Sequence, residues 1–336
     1  MQPGIIFTGG DCGVADLAAI ASQAEHAGFG LLGMAEAWRS AFVPLTAMAA
    51  ATRSIRLAPY VLNAYGHSPL MAAMAAIDFD DFSGGRLVLG LGGGNKVINE
   101  TWQGIPHARV LTKMREYVTL LQRAARTPAG RRLHFAGEVH AMDWTPTVGP
   151  RAEPFPVYLA AVFPAMLRVA AGVADGIAGG ATLTPAYLRE VLRPAAAAAA
   201  AAADRDPASL RWAAVGVCAV DADRERARRA ARTAIAHFYD PLPHPYYEYT
   251  MREQGFGAVA DRLLELMPAG RVEAALDAIP DDCVDALAIA GTVEECRARL
   301  AAYAGLVDDL LLLNTLPANG DPLGAYAGLL ALGPGA

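Results

Sequence analysis

Along the chain, short apolar runs alternate with longer stretches in which apolar residues recur every three or four positions. The run "GIIFT" (4–8) predicts a strand. Leu17, Ile20, Ala21 and Ala24 then fall at i, i+3, i+4 and i+7, one face of a helix that Gly28 suits as a left-handed cap. The alternation continues with "LLGMA" (31–35) as a second strand, a helix around 43–52, and "IRLAPYVLN" (55–63) as a third strand. Pro69 opens a helix to about Phe82, "SGG" turns the chain, and "RLVLGLG" (86–92) is the fourth strand.

Leu111, Met114, Val118 and Leu121 mark the next helix, and residues 131–144, "RRLHFAGEVHAMDW", predict a surface hairpin turning at a Gly-Glu pair. The fifth strand is "VYLAAV", the sixth is "GIAGG", and a helix over 164–174 joins them. Nine consecutive alanines (195–203) extend a later helix. "RWAAVGVCAV" (211–220) is the seventh strand, and "DDLLLLNT" (308–315) the eighth, after about ninety residues of mostly helical pattern. The pattern predicts an α/β fold, a (β/α)8 TIM barrel in one domain over 1–336, whose longest insertion, about 221–305, lies between strands seven and eight.

Bulk properties narrow the function. With 54% hydrophobic and 18% charged residues, the 336-residue chain can bury a large interior. A net charge of −6 argues against a nucleic-acid surface, and Lys96 and Lys113 are the only lysines. Cys12, Cys218, Cys283 and Cys296 form no CxxC pair, as expected of reduced thiols rather than a disulfide framework. Neither a leader pattern nor a run of ~18 apolar residues is present once alanine and glycine are discounted, so a cytoplasmic protein with no membrane partner is expected. The histidines show no HxH or HExxH spacing, so no metal is expected.

In such a barrel the chemistry sits at the C-terminal strand ends. Those ends carry Glu36-Ala37-Trp38, Asn63-Ala64-Tyr65, Gly92 to Lys96, Ala160 to Phe163, and Gly179 to Thr182. Glycine at several ends means either tight turns or room for a flat ligand. "LGLGGGN" begins like a dinucleotide fingerprint, yet Asn95 stands at the third glycine and the segment follows the fourth strand. Its amides can still meet an anion, with Lys96 adding a point charge. Pro164 suits a first helical turn whose free amides favour a phosphate, and Gly179 and Gly180 allow a ligand close to the neighbouring strand.

Five segments, in order, resemble the bacterial luciferase-like flavin or deazaflavin oxidoreductases. They are "AEHAGFGLLGMAEAW" (24–38), "TRSIRLAPYVLNAYGHSPLMAA" (52–73), "FSGGRLVLGLGGGN" (82–95), "PVYLAAVFPAMLRVAAGVADG" (156–176) and "LAIAGTVEECRARLAAYAG" (287–305). The fourth resembles most the branch that uses the deazaflavin coenzyme F-420, which includes methylenetetrahydromethanopterin reductase; members using flavin mononucleotide (FMN) more often have a "GG-x-S" type segment there.

The resemblance implies a dimeric barrel holding a flavin-type ring at its strand ends and acting on a small-molecule substrate. Asn63 and Ala64 would lie at the bulge behind the ring, and Gly92, Gly93, Gly94 and Asn95 beside the ring and its side chain. Ala160, Ala161, Val162, Phe163 and Pro164, with Gly179 and Gly180, would meet the ribityl-phosphate arm. Glu36 matches the family's acid at the end of strand two. The histidine that often follows it is Ala37 here, and the frequent Arg-His-Pro after strand three is His67-Ser68-Pro69. A general acid must therefore come from elsewhere. Glu36 is the first candidate, its pKa expected to rise in an apolar mouth, and His67 is the second. Each could equally be structural.

Trp38 and Tyr65 could stack on the ring or simply pack. The aromatic stretch "HFYDPLPHPYYEYTMREQGFG" (237–257) suggests either a lid that shapes the substrate pocket through Tyr246 and Tyr247, or a packing or dimer contact. Three functions remain open at this point. They are an F-420-dependent oxidoreductase, an FMN-dependent monooxygenase served by a separate reductase, and a non-catalytic barrel that binds a flavin-like ligand. If the lid reading holds, changing Tyr246 and Tyr247 to Ala alters substrate KM and leaves cofactor affinity intact; an unchanged KM rejects it.

Overall fold

The computed structural model describes residues 1–10 and 12–335. Its strands are β1 (Gln2–Phe7), β2 (Leu31–Met34), β3 (Arg56–Pro59), β4 (Leu62–Asn63), β5 (Leu89–Gly92), β6 (Leu133–Ala136), β7 (Ala141–Trp144), β8 (Val157–Ala160), β9 (Gly176–Ala178), β10 (Arg211–Val220), β11 (Ala288–Gly291) and β12 (Asp309–Asn314). All but β6 and β7 join one parallel sheet in the order β3-β2-β1-β12-β10-β9-β8-β5-β4. β3 and β4 are two pieces of one broken strand, and a bridge from Leu57 to Leu87 brings β3 beside the chain entering β5, which closes the ring. Strands buried on both faces explain why the sequence shows continuous apolar runs instead of alternation.

The helices form as their patterns predict. Leu17, Ile20, Ala21 and Ala24 are the buried face of the first helix, and Gly28 follows it at φ +85°. Ser68 caps the helix Pro69–Ser83 by accepting from the Met71 amide, and Gly84 ends it in the left-handed region. β6 and β7 form the expected hairpin, with Leu133 opposite Trp144. The buried Glu116 carboxylate straps its turn by accepting the amides of Glu138, Val139 and His140.

Two features depart from the sequence reading. The third strand breaks at Tyr60–Val61, a cis peptide, two residues before the Asn63–Ala64 pair assigned to the bulge. The insertion is not purely helical, because it returns as β11. Val217 and Cys218 each pair with β12 on one edge and β11 on the other, so β11 stands above β9 and continues the wall upward. A four-residue "AIAG" strand in alanine-rich helical surroundings carries no periodicity of its own. No helix among the described residues is long and apolar enough to cross a membrane.

The barrel's interior is filled in tiers. At the entry end of the strands, Arg56 on β3 reaches across β2 and β1 to Asp309 on β12, with N–O distances of 2.5 and 3.1 Å, and also meets Gln2. Asp309 is 1% exposed. Above it lie Ile6, Ala58, Val88, Ala213, Val215 and Leu311, and then Tyr60, whose hydroxyl donates to the Gly179 carbonyl at 2.7 Å. Removing Arg56 would leave a buried carboxylate unpaired. Arg56→Met is therefore expected to lower unfolding free energy by about 3 kcal/mol, read as a lower urea midpoint at unchanged slope.

Candidate active site

The segments that looked separate along the chain meet at one rim. Asn63 and Gly92 are register partners, as are Ala160 and Ala178, and Gly179 follows directly. Gly92 stands between the broken strand and β8: a Cβ on it would lie 2.4 Å from Val61 Cγ2 and 3.3 Å from Ala160 Cβ.

The rim glycines mainly make room for protein. A Cβ on Gly94, at φ +66°, would lie 2.7 Å from the Asn63 carboxamide, and one on Gly180 would lie 2.5 Å from the Tyr246 hydroxyl. Gly179 faces Leu183 and the Ala213 carbonyl. The space they leave is thus filled by neighbouring side chains, and Gly93, 3.3 Å from Val110, is the least crowded. The rim is thus main chain at the glycines, with Val61, Asn63, Leu183 and Tyr246 packed against it. Lys96 does not point along it: its ammonium is exposed and 3.7 Å from Glu100.

The two candidate acids form one unit. Glu36, just past β2, accepts the Asn63 amide at 2.9 Å and contacts His67 Nε2 with both oxygens, at 3.0 and 3.1 Å. Burial pushes its carboxyl up, but the His67 hydrogen bond, the Asn63 amide and the His67 charge outweigh that, so its pKa falls below the ordinary value. This corrects the expectation of a raised Glu36. Glu36 in turn raises the pKa of His67 by hydrogen bond and charge, against a smaller effect of burial. Tyr117 fixes the same loop by donating to the His67 carbonyl at 3.1 Å.

Asn63 does more than border the rim. Its Nδ2 donates to the fully buried Asn99 at 2.8 Å, and its Oδ1 accepts the Tyr65 amide; Asn99 then donates to the Gly93 carbonyl and meets His107 Nδ1. Ala64 is buried beside it. Tyr65 packs against protein: its buried ring stacks on His107 at 4.8 Å, carries the Lys113 ammonium 4.3 Å from its centre, and donates to the Ala108 carbonyl. Trp38, by contrast, is 55% exposed and lies 5.2 Å from Trp102. Asn99, Trp102 and Tyr117 carry no signal of their own in the sequence, because they sit in ordinary helical or loop patterns.

At β8, Ala161 is buried, Val162 and Phe163 lead outward, and Pro164 starts the ten-residue helix Pro164–Val173 with no side-chain cap. The insertion arrives here. It spans three strand ends: Tyr246 donates to the Ala181 carbonyl, Tyr249 lies 5.0 Å from Phe163, and Asn95 donates to the carbonyls of Leu242 and Pro243. Tyr246 is buried, and Tyr247 stacks flat on Phe238 at 4.0 Å. Tyr246 therefore packs beside Gly180, one of the glycine pair assigned to the ribityl-phosphate arm, and Tyr247 packs against Phe238 and Tyr246. Two clefts of about 380 and 410 Å³ open on the barrel's outside, and neither includes a rim residue.

The rim fits a flavin-type group. A main-chain border suits a flat ring, the uncapped helix start suits an anionic arm, and a paired histidine stands on the opposite side.

Residues 6–310 match the model of the luciferase-like monooxygenase family. The chain is 29% identical over 280 residues to the 5,10-methylenetetrahydromethanopterin reductase of Archaeoglobus fulgidus, covering 82% of each protein. Its fold superposes with a TM-score of 0.82 on the coenzyme F-420-dependent tetrahydromethanopterin reductase of Methanopyrus kandleri, at 22% identity, covering 99% of this chain and 97% of that one. It also superposes, at 0.70 and 15% identity, on an FMN complex of the oxygenating constituent of 3,6-diketocamphane monooxygenase from Pseudomonas putida, covering 99% and 97%. The chain belongs to the luciferase-like monooxygenase family.

Proposed function

We propose that this protein transfers a hydride between coenzyme F-420 and a small organic substrate, with His67 moving the accompanying proton and Glu36 positioning it. The observation that carries this reading is the contact of both Glu36 oxygens with His67 Nε2 at the barrel mouth. The similarity to an F-420-dependent reductase over almost the whole fold supports the choice of cofactor.

When bound, the deazaflavin supplies a ring that carries a hydride, and the protein supplies orientation and a proton. Asn63, Ala64 and Gly92 to Asn95 would hold one side of the ring. Ala160 to Pro164, with Gly179 and Gly180 under the insertion, would hold its ribityl-phosphate arm. The Glu36 contact fixes the Nε2 proton, which leaves Nδ1 as the atom that gives or takes a proton. A depressed carboxyl beside a raised imidazole favours the ion pair, so His67 holds its proton to higher pH than a free imidazole does.

The signs follow. His67, raised, contributes stability below its unfolded value and loses it as pH rises through the folded one; Glu36, lowered, loses its contribution as pH falls through its own. Reductive turnover should therefore decline as pH rises through the His67 titration. Glu36→Gln should shift that limb to lower pH, with the His67 ring resonances in NMR moving alike; an unmoved limb assigns the proton to another group. His67→Gln should cut kcat roughly 100-fold without changing cofactor affinity.

The cofactor assignment rests on a parallel titration with F-420 and FMN, read by fluorescence. Tighter F-420 binding, with hydride transfer on a panel of carbonyl and imine substrates, is the expected result. Tighter FMN binding with oxygen consumption from the reduced flavin would establish the monooxygenase reading instead, and tight binding without turnover the non-catalytic one.

A further inference from the structure

Trp38 and Trp102 follow different strands, β2 and β5, yet their rings meet at 5.2 Å with a 56° tilt. They remain 55% and 48% exposed. Leaving two indoles half in water forgoes much of what their burial would contribute, so an exposed pair calls for a reason. We infer that these two rings form the substrate-selecting notch of the mouth, and that they admit a flat, conjugated, uncharged molecule.

Three features show a built site. A Cβ on Gly9 would come within 2.7 Å of Trp38 Cβ and 2.9 Å of its ring, so the glycine lets the indole lie against the end of β1. Trp102 closes a π-helical turn, Ile98–Trp102, a local irregularity that recurs at functional sites. Both tryptophans also lie on segments next to the Glu36–His67 pair. Trp38 stands two residues beyond Glu36, while Gln103, next to Trp102, packs 3.2 Å from where a Cβ of Gly66 would lie, one residue before His67.

The insertion crosses the ends of β9, β8 and β5 and gives the other side of the mouth to the cofactor arm. The tryptophans stand toward β2, on the side of the Glu36–His67 pair. Two rings at a 56° tilt make a wedge: a planar molecule stacks on one face and meets the edge of the other. A saturated molecule of the same size gains neither contact.

This inference rests on the hydride-transfer reading for the identity of the neighbouring ligand, and the test keeps the two apart. The protein loaded with oxidised F-420 is titrated calorimetrically with 2-methyl-1,4-naphthoquinone and with cyclohexanone. Trp38→Ala and Trp102→Ala should each weaken naphthoquinone binding roughly tenfold, and Phe at either position should restore it to within about threefold of the parent. Cyclohexanone should not distinguish the variants. No naphthoquinone binding by the parent, equal binding by the alanine variants, or a change of sedimentation state with affinity unchanged overturns the inference. Failure to bind F-420 rejects the hydride-transfer reading alone, because the same titration on unloaded protein still reports the notch.

Discussion

A ring of parallel strands stands or falls on what fills it, since every inward side chain competes for the same narrow column of space. Here the column is sealed at its entry end by the Arg56–Asp309 pair, which joins strands separated by two others. It is sealed again near its exit by Tyr60 bonding to Gly179 across the interior. The lower contact lets a carboxylate exist in an otherwise apolar interior, and the upper one sets the floor on which the mouth is built. Small residues between them, such as Ala58 and Ala213, leave room for both.

Above that floor the mouth divides. Toward β9, β8 and β5 the border is backbone and small side chains, roofed by the aromatic insertion. Toward β2 and β4 it carries Glu36, His67 and the tryptophans. Asn63 belongs to both sides. Its amide holds Glu36, and its side chain holds Asn99, and through it the Gly93 carbonyl. One residue thus couples the position of the Glu36–His67 pair to the position of the glycine rim.

Much of this was legible in the sequence because periodicity and turn chemistry are local. β10 was read to the residue, and the glycine after the first helix and the proline at the start of the fifth strand's helix fell where the backbone required them. Strand ends placed Glu36 and His67 near the mouth, but their contact and their electrostatics were not legible. An apolar neighbourhood by itself raises a carboxyl, and nothing in the sequence announced that Glu36 and His67, 31 positions apart, would fold into contact. The rim glycines show the same limit. A glycine's need for space is visible in sequence, but the occupant of that space is not: Val61, Asn63 and Tyr246 fill it from other parts of the chain. β11 escaped because a strand of four small residues differs from helix only in its pairing partner.

β10 is ten residues long, and it serves two structures in series. Its lower half is a stave of the barrel between β9 and β12, and its upper half, paired with β11, is a rafter for the insertion. A roof carried on such a beam cannot swing as a flap hinged on loops would. It tilts only if the stave beneath it tilts, so the span from β10 to Asn95 follows the main chain of the wall, and a disturbance deep in that wall is transmitted upward to the cover over the glycine rim.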